Sequence, residues 1–361
     1  MPTRKEERIK VLIIDDSAFM RVFISDILKD DADIKIVGTA RNGKDGLEKT
    51  AELKPDIVVM DIEMPVMNGL EALAEIMKLK PAPKVIMLSS MTYEGGEATI
   101  KALALGALDF IAKPAGSADK NDIEYIKDEL INRIKSISKS KGSCRIAIQA
   151  EESVATTGDK TGYRSDSNLC PKYIIAIGTS TGGPKALQEV LTKLPGDVPA
   201  AVLVVQHMPP GFTKLLSERL NSVSHICVKE AEDGEMLKQG WAYIAPGDCH
   251  MLINNCGNEE YRILINKEPA VTGHRPSVNV MMKSVAESGH KNIIAVMMTG
   301  MGRDGSDGML KIKEAGGKTI AQDESTSIVY GMPKSAINIG AIDIIVPLHN
   351  ITKEILKNMG V

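Results

Sequence analysis

The chain has 361 residues, of which 43% are hydrophobic and 25% charged, a composition typical of a globular protein with about two domains. With 44 basic and 47 acidic residues, its formal charge of -3 gives no basis for general binding to nucleic acid or acidic membranes. Its apolar runs are shorter than the roughly 18 residues of a membrane span, and its five cysteines form no CxxC pair. We therefore expect a cytoplasmic protein with reduced cysteines and no direct membrane insertion.

Residues 8–137 alternate short β-branched runs with segments of helix length. In chain order the runs are KVLII, IKIVGTA, DIVVM, KVIML and DFIA. They are continuously apolar, which is typical of strands buried on both faces of a parallel sheet. The pattern predicts a doubly wound α/β domain of five βα units. Its last helix carries an apolar stripe formed by Ile123, Ile126, Leu130, Ile134 and Ile137.

Polar residues follow four of these runs, at what would be one edge of the sheet. Clustered carboxylates at that edge would suit Mg²⁺, and a hydroxyl and an ammonium group would suit a transferred phosphoryl group. A single Asp after a strand is explained equally well as a helix cap, but such a cap does not explain the whole set. The set consists of Asp15, Asp16, Asp61, Ser89, Ser90 and Lys113.

These motifs resemble the receiver domain of response regulators, a flavodoxin-like fold. The resemblance implies that a histidine kinase phosphorylates Asp61. It also gives Ser89 the role of the switch hydroxyl and Lys113 that of the phosphate-binding lysine. The Mg²⁺ needed for phosphorylation would be held by Asp15, Asp16, Asp61 and the backbone carbonyl of Glu63.

The segment 138–169 is polar and rich in Ser, Thr, Gly and Lys, with RIAI as its one candidate strand. This composition predicts a flexible linker between two domains.

Residues 170–361 again alternate apolar runs with helical stretches, namely KYIIAIG, AAVLVVQ, NIIAVMM, KTIA and IDIIV. They predict a second doubly wound, Rossmann-like α/β domain. The segments WAYIAP, HMLINN and YRILIN predict a small antiparallel insertion. Residues 171–361 contain 19 basic and 19 acidic residues, so this domain is neutral overall.

A candidate nucleophile follows the first of these runs. Residues 178–182 read G-x-S-x-G, a pattern that exposes a serine, here Ser180, beside backbone N–H groups at a helix N-terminus. The nucleotide-binding patterns G-x-G-x-x-G and GK[ST] do not fit this segment. The sequence therefore predicts a serine hydrolase, which requires a base and an orienting acid.

His207 ends the next run and would lie at the same sheet edge as Ser180, whereas His250 and His274 fall in loops. His207 is thus the favoured base. Asp304, in a glycine-rich turn after NIIAVMM, is the favoured acid, with Asp307 as its rival. The chain order Ser, His, Asp differs from that of α/β-hydrolases, so the fold is a different one.

The motifs GTSTGG, QHMPPGF, EAEDGE, YIAPGD, HRPSV, TGMGRDG and YGMP resemble the chemotaxis protein-glutamate methylesterase family. The resemblance implies a triad of Ser180, His207 and Asp304, with Thr181 and Met301 at the oxyanion cleft. It also implies hydrolysis of glutamyl methyl esters and deamidation of glutamine on methyl-accepting chemoreceptors, without a cofactor for hydrolysis. We expect a monomer that acts in chemotactic adaptation.

The sequence allows two other interpretations of the second domain. A DNA-binding output domain is disfavoured by the neutral charge and by the absence of a helix-turn-helix pattern. A non-catalytic binding module would share the fold, and only a loss of hydrolysis on removal of Ser180 would distinguish the two.

Overall fold

The computed structural model describes residues 8–90, 92–113, 120–140 and 169–361. It divides into two compact units, 1–140 and 141–361. Most of the predicted linker, including the candidate RIAI strand, lies outside the described residues, and so does the side chain of Ile123. Within the described ranges, no helix has both the length and the apolar character needed to cross a bilayer.

The first unit contains one parallel sheet whose strand order is β2-β1-β3-β4-β5, which confirms the doubly wound class. The strands lie within a residue of the predicted runs. They are β1 (Ile9–Ile14), β2 (Ile34–Ala40), β3 (Ile57–Asp61), β4 (Lys84–Ser89) and β5 (Asp109–Ala112). The helices between and after them are α1 (Ala18–Lys29), α2 (Gly43–Leu53), α3 (Gly69–Ile76), α4 (Tyr93–Leu105) and α5 (Lys120–Ser138).

The central strands of this unit are buried on both faces, as the continuous apolar runs predict. Every residue of β3 is buried. On α5, the stripe residues Leu130, Ile134 and Ile137 are buried, whereas Ile126 is only half-buried. Arg133 of α5 pairs with the buried Asp109 of β5 at 2.7 Å, which fixes this helix against the edge of the sheet.

The second unit contains a seven-stranded parallel sheet of order β14-β13-β12-β6-β7-β9-β8. Its strands are β6 (Tyr173–Thr179), β7 (Ala200–Gln206), β8 (Cys227–Glu230), β9 (Trp241–Ile244), β12 (Ile293–Met297), β13 (Lys318–Gln322) and β14 (Ile344–Val346). The helices are α6 (Gly183–Leu191), α7 (Phe212–Val223), α8 (Val278–Glu287), α9 (Ser306–Glu314), α10 (Met332–Asn338) and α11 (Ile351–Met359).

A two-stranded antiparallel sheet, β10 (His250–Gly257) and β11 (Glu260–Asn266), confirms the predicted insertion. The prediction was wrong for WAYIAP, because β9 runs parallel to both β7 and β8 in the main sheet. Strand β8 was not predicted at all. A four-residue strand at the sheet edge, only one of whose residues is buried, leaves little apolar signal in the sequence.

Candidate functional site

Three carboxylates converge at the carboxyl edge of the first sheet. One oxygen from each of Asp15, Asp16 and Asp61 lies within 4.8 Å of the others. Asp15 and Asp61 are buried, whereas Asp16 is exposed. The N–H of Glu63 donates to Oδ1 of Asp61 at 3.3 Å, which brings the Glu63 backbone to the same edge. All-oxygen donors with one side open to water fit the Mg²⁺ ion that the sequence predicts.

Lys113 supplies the counter-charge to these carboxylates. Its Nζ lies 2.7 Å from Oδ2 of Asp61 and 3.1 Å from Oδ2 of Asp15. Burial raises the pKa of Asp61 to about 6, with Asp15 adding to the shift and Lys113 opposing it. Burial alone would lower the pKa of Lys113, but its contacts with Asp61 and Asp15 outweigh burial and raise it. The ammonium therefore stays charged where a phosphoryl group would need it.

The two serines after β4 differ in environment. Ser89 is fully buried, and its hydroxyl lies 3.2 Å from the carbonyl of Gly95, to which it can donate. It also accepts a hydrogen bond from Oγ1 of Thr99 at 2.6 Å. Ser90 is half-buried, with its hydroxyl 3.1 Å from that of Thr92. Thr99 was not singled out from the sequence, because a threonine within a helix carries no distinguishing pattern.

In the second unit, the candidate catalytic residues follow three adjacent strands. Ser180 comes directly after β6, His207 after β7, and Asp304 lies in the turn that follows β12. Strand β6 pairs with β7 on one side and with β12 on the other. The chain thus passes from β6 to β7 on one side and later adds β12 on the other side of β6. The carboxyl edge at β6 is therefore the topological switch point, where doubly wound sheets bind ligands.

The turn after β6 holds Ser180 in a fixed backbone setting. The N–H of Ser180 donates to the carbonyl of Thr299 at 3.0 Å, and the carbonyl of Ser180 accepts from the N–H of Gly183 at 2.8 Å. Gly182 has a φ of 78°, and a Cβ there would lie 2.7 Å from the side chain of Ile328. This second glycine of the G-x-S-x-G motif is therefore required by both conformation and space.

The imidazole of His207 makes one polar contact with the residues that the structure describes. Its Nε2 donates to Oδ2 of Asp304 at 2.9 Å. Its Nδ1 is buried and has no hydrogen-bond partner among the described residues. A neutral ring that donates from Nε2 carries its lone pair on Nδ1. Nδ1 is therefore the nitrogen available to accept a proton.

The carboxylate of Asp304 lies against the N-terminus of α8. Its Oδ1 accepts from the hydroxyl of Ser277 at 2.8 Å, and its Oδ2 accepts from the N–H of Val278 at 2.7 Å. Burial would raise the pKa of Asp304, but the contacts with His207, Ser277 and Val278 outweigh it and lower the pKa to about 2. The rival acid Asp307 is exposed on α9. The structure thus brings Asp304, and not Asp307, to the imidazole.

Two further histidines lie near this pair. The ring of His274 stacks on that of His207, with centroids 3.8 Å apart and planes 10° apart. His250 is buried: its Nε2 donates to the carbonyl of Pro269 at 3.2 Å and its Nδ1 accepts from the N–H of Ser277 at 3.2 Å. Sequence reasoning placed both in loops and set them aside. Only the tertiary fold shows that one packs on the imidazole and that the other supports the helix cap.

The residues predicted for an oxyanion cleft border the serine. Thr181 is buried directly after Ser180, and its N–H donates to no acceptor within the described ranges. Met301 is half-buried in the loop after β12. Its neighbour Gly300 packs so tightly that a Cβ there would lie 2.9 Å from Cβ of Ser180. The two loops therefore approach each other at the serine.

Two family models match the chain. The model described as "Response regulator receiver domain" matches residues 11–123, and the model described as "CheB methylesterase" matches residues 175–355. These matches leave no room for a DNA-binding output domain in the second unit, so that alternative is wrong.

Similar curated proteins align with nearly the whole length of this chain. The protein-glutamate methylesterase/protein-glutamine glutaminase of Geobacillus kaustophilus (strain HTA426) is 47% identical over 353 residues, covering 98% of this chain and 99% of the relative. That of Symbiobacterium thermophilum is 44% identical over 369 residues, covering 100% of this chain and 99% of the relative. The crystal structure of the Thermotoga maritima CheB methylesterase catalytic domain is 44% identical, with a TM-score of 0.50, and covers 52% of this chain and 99% of that one.

Proposed function

The chain belongs to the family of protein-glutamate methylesterase/protein-glutamine glutaminases, and on this premise we propose that it hydrolyses glutamyl methyl esters and deamidates glutamines on chemoreceptors. The proposed catalytic residues are Ser180, His207 and Asp304. The observation that carries this assignment is the 2.9 Å hydrogen bond from Nε2 of His207 to Asp304, which leaves the buried Nδ1 as the base.

In the proposed reaction, Oγ of Ser180 attacks the side-chain carbonyl of the substrate while Nδ1 of His207 accepts the hydroxyl proton. The resulting imidazolium is stabilised by the buried carboxylate of Asp304. His207 then returns the proton to the leaving group, methanol from an ester or ammonia from an amide. Water hydrolyses the acyl-enzyme by the same proton transfers, so one site serves both substrates.

The tetrahedral intermediate carries a negative oxygen that needs donors. Because the N–H of Ser180 is bonded to Thr299, that group is not available. The N–H of Thr181 and the loop at Met301 border the serine and are the donors we propose. Hydrolysis then requires no metal or organic cofactor.

We propose that a histidine kinase phosphorylates Asp61 in the receiver and that this activates hydrolysis. Asp15, Asp16, Asp61 and the backbone carbonyl of Glu63 would hold Mg²⁺, which offsets the charge of the incoming phosphoryl group. Lys113 would bind the phosphoryl oxygens, and Ser89 would be the switch hydroxyl. The position of the Lys113 ammonium, 3.1 Å from Asp15 and 2.7 Å from Asp61, supports this arrangement.

The same proposal assigns residues 8–137 to the receiver, 138–169 to a flexible linker and 170–361 to the catalytic domain. It describes a cytoplasmic monomer that binds neither nucleic acid nor membrane directly. The division is supported by the matched segments, 11–123 and 175–355, each of which lies within one proposed domain, and by the two compact units, 1–140 and 141–361.

Methanol release from methylated chemoreceptors, measured with and without acetyl phosphate and Mg²⁺, tests the proposal. We expect the phosphodonor to raise the rate and Ser180→Ala to abolish it, while Asp61 of this variant is still phosphorylated. The matched control is Ser222→Ala, which removes the hydroxyl of an exposed serine whose one hydrogen bond among the described residues lies within α7. Methanol release by Ser180→Ala at the rate of the control would show that the nucleophile is assigned wrongly.

A further inference from the structure

Gln206 is a buried polar residue at the end of an otherwise apolar strand. It closes β7, AAVLVVQ, and its side chain is 2% exposed. Its Nε2 donates to the carbonyl oxygen of Ser180 at 3.0 Å and to that of His207 at 3.1 Å. One amide group thus connects the backbones of the proposed nucleophile and the proposed base.

The connection lies where the regular sheet ends. The last register pair between β6 and β7 is Thr179 with Gln206, followed by a hydrogen bond from the N–H of His207 to the carbonyl of Thr179 at 3.2 Å. Beyond this point Ser180 turns toward α6, and the strands no longer pair. The side chain of Gln206 supplies two hydrogen bonds at the position where ladder hydrogen bonds are missing.

The environment of Gln206 shows that this amide occupies a site shaped for it. A Cβ at Gly183 would lie 1.9 Å from Oε1 of Gln206, so only glycine leaves room for the side chain. Oε1 is buried and has no hydrogen-bond partner among the described residues. A buried acceptor without a partner is unfavourable, and an apolar side chain of similar length would avoid that cost. The amide is therefore poorly explained by stability alone.

We propose that Gln206 is a positioning residue, which fixes the backbone of Ser180 relative to that of His207 so that the serine hydroxyl can come within reach of Nδ1 during the reaction. This inference rests on the catalytic residues proposed above. Proton transfer requires donor and acceptor about 3 Å apart, and a displacement of about 1 Å lowers the rate by roughly 100-fold. Loss of the two hydrogen bonds acts on kcat and leaves substrate binding unchanged.

The experiment compares Gln206→Met, which keeps the length of the side chain and removes both donors, with wild type. We expect kcat for methanol release to fall 10- to 100-fold with KM within about twofold. Inactivation by diisopropyl fluorophosphate, a small reagent that reports the reactivity of Ser180 without receptor binding, should slow by the same factor. Circular dichroism at the assay temperature establishes the folded fraction.

Thr319→Val is the matched control for a purely structural effect. Thr319 is fully buried, and its hydroxyl bonds to Asp343 at 3.1 Å; it lies on β13, which β12 separates from β6, near the strand end opposite the catalytic edge. We expect this variant to melt at a lower temperature while kcat and the inactivation rate of the folded protein stay at wild-type values. A folded Gln206→Met variant that behaves like Thr319→Val overturns the inference.

If Gln206→Met does not fold, Gln206→Leu provides the test, because it also removes both donors and places no titratable group against the carbonyls of Ser180 and His207. A drop in kcat of at least 10-fold supports the inference, whereas wild-type kcat overturns it. Ser180→Ala separates this inference from the proposal on which it rests. An active Ser180→Ala refutes the triad, whereas an inactive Ser180→Ala together with a fully active Gln206 variant refutes only the positioning role.

Discussion

The imidazole rings of His207 and His274 lie face to face, with centroids 3.8 Å apart and planes 10° apart. Asp304 holds one nitrogen of His207 by a hydrogen bond, and His274 packs against the face of the ring and restricts its rotation. The base is thus held both by a hydrogen bond and by a stacked neighbour.

This relationship predicts that His274→Ala lowers kcat by about 2- to 12-fold, because an aromatic stacking contact contributes about 0.5–1.5 kcal/mol. His274→Phe keeps a flat ring over His207 and should recover most of that loss. Methanol release from methylated receptor measures both. Equal rates for His274→Ala and wild type would show that stacking does not orient the base.

Asp304→Asn should reduce kcat by two to four orders of magnitude; the equivalent change in a serine protease costs about 10⁴-fold. An amide here either turns its NH₂ toward Nε2 of His207, which imposes the wrong tautomer, or keeps its oxygen there and loses the charge that stabilises the imidazolium. Asp307→Asn alters only an exposed residue and serves as the control. A damaging Asp307→Asn beside a harmless Asp304→Asn would mean that the acid is assigned wrongly.

Asp304 should also make the stability of the folded protein depend on pH in the acid range. Its pKa is lowered from 3.8 to about 2 in the folded protein, so the stabilisation is fully present above pH 4 and is lost as the pH falls toward 2. The shift corresponds to about 2 kcal/mol. Denaturant unfolding of wild type and Asp304→Asn at pH 5 and pH 2 measures it, and we expect the difference between the two proteins to shrink by that amount. A constant difference would contradict the prediction.

In the receiver, Thr99 should restrain the proposed switch hydroxyl. Its Oγ1 donates to Ser89 at 2.6 Å, a bond that must be lost if Ser89 turns toward a phosphoryl group on Asp61. Thr99→Val removes about 1 kcal/mol of hydrogen bonding from the unphosphorylated state. We expect half-maximal activation at a roughly fivefold lower concentration of acetyl phosphate, with Thr99→Ser as the control that keeps the hydroxyl. An unchanged midpoint in Thr99→Val would exclude this restraint.

All proposed catalytic residues belong to the second unit, so the receiver acts by changing the activity of that unit. We predict that, in the unphosphorylated state, the receiver restrains it. The fragment 170–361 should then release methanol faster than the unphosphorylated full chain, and Asp61→Asn should stay at the basal rate when acetyl phosphate is added. A fragment no faster than the full chain would instead indicate stimulation or recruitment by the phosphorylated receiver.

The sequence by itself determined the two parallel sheets and the edge at which each site lies. Continuous apolar runs such as IVVM in β3 and AAVLVV in β7 report burial on both faces, because a parallel sheet covered by helices leaves no polar face. Residues at the ends of such strands converge through topology alone. For this reason Ser180 and His207, and likewise Asp15 and Asp61, could be paired across long stretches of chain.

Only the tertiary structure decided between candidates that share the same local pattern. Asp304 and Asp307 belong to one glycine-rich segment of the sequence, and the N-terminus of α8, which comes from another part of the chain, selects the former through the N–H of Val278. The stacking of His274 and the bridging amide of Gln206 depend on distances between separate loops and strand ends. Side-chain contacts of this kind arise from packing between elements that are distant in sequence, so they cannot be predicted from hydrophobic periodicity.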